Sequence, residues 1–119
     1  MSLIRSLFDL RPFGAVAEIT PHRLMRAIEE GSADLLDVRT RAEYAAGHIA
    51  GSKHTTITSF GRALDGLAVD PTRTVVAICA SGHRSIPAVR ALVRRGFVDA
   101  VQLAGGMSAW RSSGLPVVR

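Results

Sequence analysis

Cys79 is the only cysteine in the chain, and it opens the string Cys79-Ala80-Ser81-Gly82-His83-Arg84-Ser85. A free thiol titrates at about 8.5, and only its thiolate is a strong nucleophile. The residues after it are suited to holding that anion. Gly82 permits a left-handed or otherwise tight backbone, so successive N–H groups can converge into an anion-binding nest. Arg84 adds a fixed positive charge. A cation or a helix N-terminus beside a cysteine lowers its pKa to roughly 3.5–7.5. The expected chemistry is covalent catalysis by a Cys79 thiolate. The N–H groups of Ala80, Ser81, Gly82, His83, Arg84 and Ser85 would cup the anionic substrate. Arg84 would meet the anionic end of that substrate, and Ser81 and His83 would line the mouth.

Positioning such a loop takes a strand before it and a helix after it. Val75, Val76, Ala77 and Ile78 form an apolar, β-branched run that reads as a buried parallel strand. Ile86-Pro87 and then Val89, Leu92 and Val93 follow at helical spacing, and Pro is favoured in a first helical turn. A single buried cysteine is ordinarily inert packing. At the carboxyl end of a strand, where α/β sheets bind their ligands, and facing a helix N-terminus, it is a candidate nucleophile instead.

The remaining elements follow the same alternation. Glu18-Ile19 begins a short strand, and Thr20-Pro21 starts a helix with Leu24, Met25 and Ile28 on its buried face and Gly31 at its end. A second strand covers 33–38. Thr40 and Glu43 make a capping box for a short helix that Gly47 stops. Asp37 and Arg39 then fall at the same sheet edge as Cys79. Arg39 and Glu43 are expected to form an i,i+4 ion pair that fixes the turn. Asp37 is assigned a supporting role, accepting hydrogen bonds from the Cys79 loop or Arg84, with a surface aspartate as the alternative. A third, edge strand is expected over 51–57, a poorly formed helix over 59–67, a helix from 85 to about 95, a fifth strand over 100–103 and a last helix carrying Trp110 in the core. His48 and His54 lack metal-ligand spacing and read as structural. No metal or cofactor is expected.

Several of these segments, in this order, resemble the rhodanese-like sulfurtransferases. The Cys79–Ser85 string looks like the family's active-site loop. Asp37-Val38-Arg39, then Glu43-Tyr44, then Gly47-His48-Ile49-Ala50-Gly51 is similar to its D-x-R…E-[YF]…GHI-x-G pattern. Leu103-Ala104-Gly105-Gly106-Met107-Ser108-Ala109-Trp110, followed by Gly114-Leu115-Pro116-Val117, resembles its close. The likeness runs over about 18–118. It departs at Ser52-Lys53-His54, where the family commonly has a small residue and then Asn. The resemblance implies a three-layer α/β/α fold on a five-stranded parallel sheet of order 1-5-4-2-3. It also implies transfer of a sulfane sulfur from an anionic donor such as thiosulfate, through a persulfide on Cys79, to cyanide or a thiol. A protein sulfur acceptor is a further partner consistent with it.

Two rival functions share the architecture. Phosphatases of this type use Cys-x5-Arg, whereas Arg84 makes the spacing here Cys-x4-Arg, a ring better sized for one sulfur atom than for phosphate. Interaction modules of the same fold often lack the cysteine, which is present here.

The bulk composition narrows the rest. At 119 residues the chain fits one domain, long enough to bury roughly 65% of its unfolded surface without disulfide or metal. The expected division is an amphipathic extension over 1–16, with Leu3, Ile4, Leu7 and Phe8 on one face, and the rhodanese-like domain over 17–119. The net charge is +5 and Lys53 is the only lysine. Nucleic-acid binding favours a basic stripe interleaved with aromatics; here aromatics are 5% and the arginines are scattered, so no nucleic-acid partner is expected. No apolar run approaches the roughly 20 residues of a membrane span. One cysteine, with no disulfide partner, suits the reducing cytoplasm.

Overall fold

The structure, a computed structural model, describes residues 16–66 and 69–119. The amphipathic face expected at Leu3, Ile4, Leu7 and Phe8 lies outside them. Strand β4 (Thr74–Ile78) is the middle of five strands. β5 (Asp99–Leu103) and then β1 (Glu18–Ile19) lie on one side of it, and β2 (Ala33–Asp37) and then β3 (Lys53–His54) on the other. All pairings are parallel, so the order is 1-5-4-2-3, as the family resemblance implies.

The side-chain alternation of β4 divides the core in two. Val75, Ala77 and Cys79 face one layer, with Phe60, Leu64, Ala88, Val89 and Leu92. Val76 and Ile78 face the other, with Leu24, Met107 and Trp110. A central strand flanked by helices on both faces has no polar side to offer, which is why its sequence is continuously apolar. The helices are α1 (Pro21–Glu29), α2 (Arg41–Ala46), α3 (Phe60–Ala63), α4 (Ser85–Arg94) and α5 (Gly106–Ser112).

A local side-chain signal fixes the start of α2. Thr40 accepts from the Glu43 N–H and Glu43 from the Thr40 N–H, completing the capping box of α2. Thr20 stands at the N-cap of α1 before Pro21, but its side chain makes no capping bond. The segment expected as a poor helix is broken into a 3-10 turn at Ile57–Ser59, the single turn α3 and a second 3-10 turn at Leu64–Gly66. β3 is two residues, shorter than expected. Beyond it the chain still follows β2's end, through Thr55 N to Asp37 O at 3.0 Å and Ile57 N to Val38 O at 3.2 Å, before turning into the 3-10 segment. Trp110 is fully buried and donates to the Pro116 carbonyl at 2.9 Å, which ties the chain after α5 back to the core.

The turn from β2 into α2 is held by a buried ion pair. Asp37 is 0% exposed and Arg39 3%. The Arg39 guanidinium meets both carboxylate oxygens at 2.8 to 3.1 Å, and the Arg39 N–H donates to Oδ1 at 3.0 Å. Its remaining donors go to the carbonyls of Gly47 (2.8 Å) and Glu43 (3.3 Å). Two expectations are corrected here. Arg39 pairs with Asp37 and not with the Glu43 side chain, because a fork two residues away on the extended chain reaches both Asp37 oxygens at once. Asp37 accepts from Arg39, not from Arg84. Removing one partner of such a pair strands a buried charge. Arg39→Ala should therefore lower the unfolding free energy by about 3–5 kcal/mol, read from urea denaturation at neutral pH.

Candidate active site

Cys79 follows the last residue of β4 directly. The loop after it turns at Gly82, whose φ of +96° is a conformation that favours glycine, and enters α4 at Ser85. The turn carries the Gly82 N–H back to the Cys79 Sγ, at 2.9 Å. The Ser85 Oγ lies 3.3 Å from the same sulfur. Burial pushes the Cys79 thiol up, but the Ser85 hydroxyl and the N–H groups of Ser85, Gly82 and Ser81 outweigh it and leave the thiol below its ordinary value. Cys79 is 1% exposed, so its thiolate form is stabilised by protein donors in place of water.

The carbonyls of the same loop point the other way, onto α5. Met107 N donates to Cys79 O at 2.8 Å and Ser108 N to Ala80 O at 3.0 Å. Gly106 allows that approach: a Cβ there would stand 2.6 Å from the Ala80 carbonyl carbon and 2.7 Å from its oxygen. Ser81 and His83 are exposed and bonded to each other, Oγ to Nδ1 at 3.1 Å.

Arg84 is engaged by an acid from α2. Its two terminal nitrogens donate to the two Glu43 oxygens at 2.7 and 2.8 Å, with both side chains 36% exposed. The Arg84 guanidinium holds the Glu43 carboxyl down to about 2. Arg84's charge is thus neutralised by an acid 41 positions earlier in the chain. His48 and His54 stack on the two sides of Tyr44, with ring centroids 3.8 and 4.6 Å away, and bond to main-chain carbonyls of Tyr44 and Arg39. Among the described residues no three His, Cys, Asp or Glu side chains gather into a metal-binding group.

Gln102 is the site residue that the sequence reading missed. It is 3% exposed in the middle of β5. Its Nε2 donates to the Glu18 carboxylate at 2.9 Å, which turns its Oε1 toward the fully buried Ser85, and the Ser85 hydroxyl donates to it. A hydroxyl has one proton. Ser85 can stabilise a Cys79 thiolate only by turning that proton from Gln102 to the sulfur. A lone glutamine among the otherwise apolar residues 100–103 is the available signal.

A model of the rhodanese-like domain matches residues 20–113. The chain belongs to the rhodanese-like domain family. It is 38% identical over 100 residues to a protein named thiosulfate sulfurtransferase GlpE from Actinobacillus pleuropneumoniae serotype 3 (strain JL03), covering 84% of this chain and 91% of that protein. It is 33% identical over 94 residues to the protein of the same name from Pseudomonas aeruginosa, covering 79% and 83%. Among solved structures, a rhodanese-related protein from Thermoplasma volcanium superimposes with a TM-score of 0.76 at 32% identity, covering 85% of this chain and 96% of that one.

Two pH-dependent outcomes follow from this geometry. The alkylation rate of Cys79 should titrate with a midpoint below that of free cysteine. Ser85→Ala should raise the midpoint by removing a donor, whereas Gln102→Leu should lower it by freeing the Ser85 proton for the sulfur; iodoacetamide rates across pH check both signs. Glu43 has a folded pKa below its ordinary 4.5. The stability from its pairing is therefore present in full above pH 4.5 and lost as pH falls toward 2. The gap in urea midpoint between the wild type and Glu43→Gln should accordingly be open at pH 7 and close through that window.

Proposed function

We propose that this protein is a sulfurtransferase that carries a sulfane sulfur on Cys79. The observation that carries the reading is the Cys79 sulfur at the end of β4, with the Gly82 amide at 2.9 Å and the Ser85 hydroxyl at 3.3 Å. The Cys79 thiolate attacks the outer sulfur of thiosulfate. A bond forms between the two sulfurs, the bond to the sulfonate sulfur breaks, and its electron pair leaves with sulfite. The product is a Cys79 persulfide anion. Cyanide or a thiolate then attacks the outer sulfur and leaves as thiocyanate or a new persulfide, with the electron pair returning to Cys79. This is two-step nucleophilic catalysis with ping-pong kinetics.

In the unloaded loop the Gly82 amide rests on Sγ itself, so the entering sulfur takes over that donor as the amide moves outward. The amides of 80–85 then serve the persulfide as an oxyanion hole serves oxygen. The covered sulfur favours a small, single-atom transfer over phosphoryl chemistry, as does an Arg84 already occupied by Glu43. No second cysteine exists to take the sulfur within the chain, so the acceptor is external, a small nucleophile or a protein thiol. The cycle needs Cys79 reduced, which suits the cytoplasm.

Incubation with thiosulfate followed by intact-mass measurement should show one added sulfur on the wild type and none on Cys79→Ser. Cyanide should then release thiocyanate and restore the original mass. An unchanged wild-type mass overturns the reading, and phosphate release from an aryl phosphate would favour the phosphatase instead.

A further inference from the structure

Behind the Cys79 sulfur a chain of polar side chains runs across the sheet and ends on β1. Parallel register sets Glu18 of β1 beside Gln102 of β5, and Gln102 beside Ala77 of β4. Such paired positions share a face of the sheet, here the one on which Ala77 and Cys79 meet α4. Ser85 opens α4 against that row. Its Oγ stands 3.3 Å from Sγ, and its hydroxyl donates to Gln102 Oε1. Gln102 Nε2 donates in turn to Glu18 at 2.9 Å. Ser85 and Gln102 are 0% and 3% exposed, so their partners must come from the protein.

The direction of each link is set from the outer end. A carboxylate only accepts. Glu18 therefore fixes which end of the Gln102 amide faces it and leaves the acceptor Oε1 for Ser85. Ser85 gives Oε1 its one proton, so the side of Oγ that faces the sulfur carries lone pairs. This order suits a neutral thiol, whose S–H donates to Oγ, and withholds a donor from the thiolate. Reversal would take the Ser85 proton from Oε1 and leave that acceptor unpaired, or would turn Oε1 onto the Glu18 carboxylate. Either leaves buried acceptors without donors, which is costly. The charges nearer the loop are answered within pairs, Arg84 with Glu43 and Asp37 with Arg39. His83 is exposed and bonded to Ser81.

We propose that Glu18 is a positioning residue for Cys79: by fixing the Gln102 amide it holds the Ser85 proton off the sulfur and keeps the thiolate strongly nucleophilic. Glu18 touches no reacting atom. A thiolate with one donor fewer is harder to form but attacks faster once formed, because nucleophilicity falls as a thiol becomes more acidic. The loop amides already favour ionisation, and the chain from Glu18 limits how far such stabilisation blunts the attack. Its consequence for turnover rests on the sulfurtransferase reading.

The test is the rate of Cys79 alkylation by iodoacetamide across pH, in the full chain. Glu18→Gln lets Gln102 turn its Nε2 to Ser85, which sends the Ser85 proton to the sulfur. The midpoint should fall by about one pH unit, and the limiting rate above both midpoints should fall about threefold. Loss of a negative charge would also lower the midpoint through space, but without need of Ser85. In Ser85→Ala protein, therefore, adding Glu18→Gln should move neither midpoint nor limiting rate. A shift that persists there overturns the proposal. So does an unchanged midpoint in Glu18→Gln alone, or a rate altered by one factor at every pH, as a loosened loop would give. Glu18→Asp keeps an acceptor-only group and should stay closer to the wild type than Glu18→Gln; the reverse order overturns the assignment. Thiosulfate loading, followed by mass at a pH above both midpoints, should also slow in Glu18→Gln. A wild type that takes up no sulfur counts against the sulfurtransferase reading alone, and alkylation still decides the role of Glu18.

Discussion

A charged sulfur almost sealed from water must be surrounded by donors, and a single stretch of backbone has to supply them. Each peptide unit carries one donor and one acceptor that point in opposite directions. If the N–H groups of the Cys79 loop turn inward, its carbonyls must turn outward and find partners of their own. The first turn of α5 provides these, since Met107 and Ser108 take the carbonyls of Cys79 and Ala80. Gly106 has no side chain to keep the two backbones apart. Of the amides that face the sulfur, that of Ser81 shares its peptide plane with the Ala80 carbonyl held by Ser108. Trp110, buried four residues later, fixes α5 against the sheet.

Charge is distributed by a second constraint. Parallel register sets Asp37 beside Ile78, the residue before Cys79, so the turn after β2 and the loop after β4 emerge side by side. Arg39 keeps the first turn closed by neutralising Asp37 within it. Glu43, fixed at the start of α2 by its capping box, meets Arg84 across the gap between the two turns. Each fixed charge near the sulfur is answered by another, and the field at Sγ comes chiefly from amide and hydroxyl dipoles. Such dipoles are set in place by the fold.

The local layers of this arrangement were legible in the sequence. The apolar β-branched run before Cys79, the proline in the first turn of α4 and the Thr40–Glu43 box each depend on residues within a few positions, and each element formed where expected. The strand order came from the family resemblance, since periodicity says nothing of which strands are neighbours. The partner of Glu43 was not legible. Arg39 lies four residues away and Arg84 lies 41, and only the register of β2 on β4 makes the distant one nearer. Gln102 escaped for another reason. Its strand reads as buried, and a glutamine there has meaning only once Glu18 and Ser85 are known to flank it. The shortness of β3 reflects an edge position, where packing imposes little beyond the first bonds to β2.

The low exposure of Cys79 bears directly on selectivity. An open thiolate would react with many electrophiles; this one yields only as the loop yields. Opening the loop separates the Gly82 amide from Sγ and withdraws a donor from the anion. A reagent that brings no atom able to accept from that amide leaves it unpaired, at a cost of the order of 1–3 kcal/mol. In the proposed transfer, a sulfane sulfur becoming anionic on Sγ would restore the bond one atom further out. The closed loop therefore discriminates by what the incoming group becomes after reaction as well as by its size. The same covering that raises the thiol's pKa by excluding water makes the amide bonds to sulfur strong enough to reverse that rise.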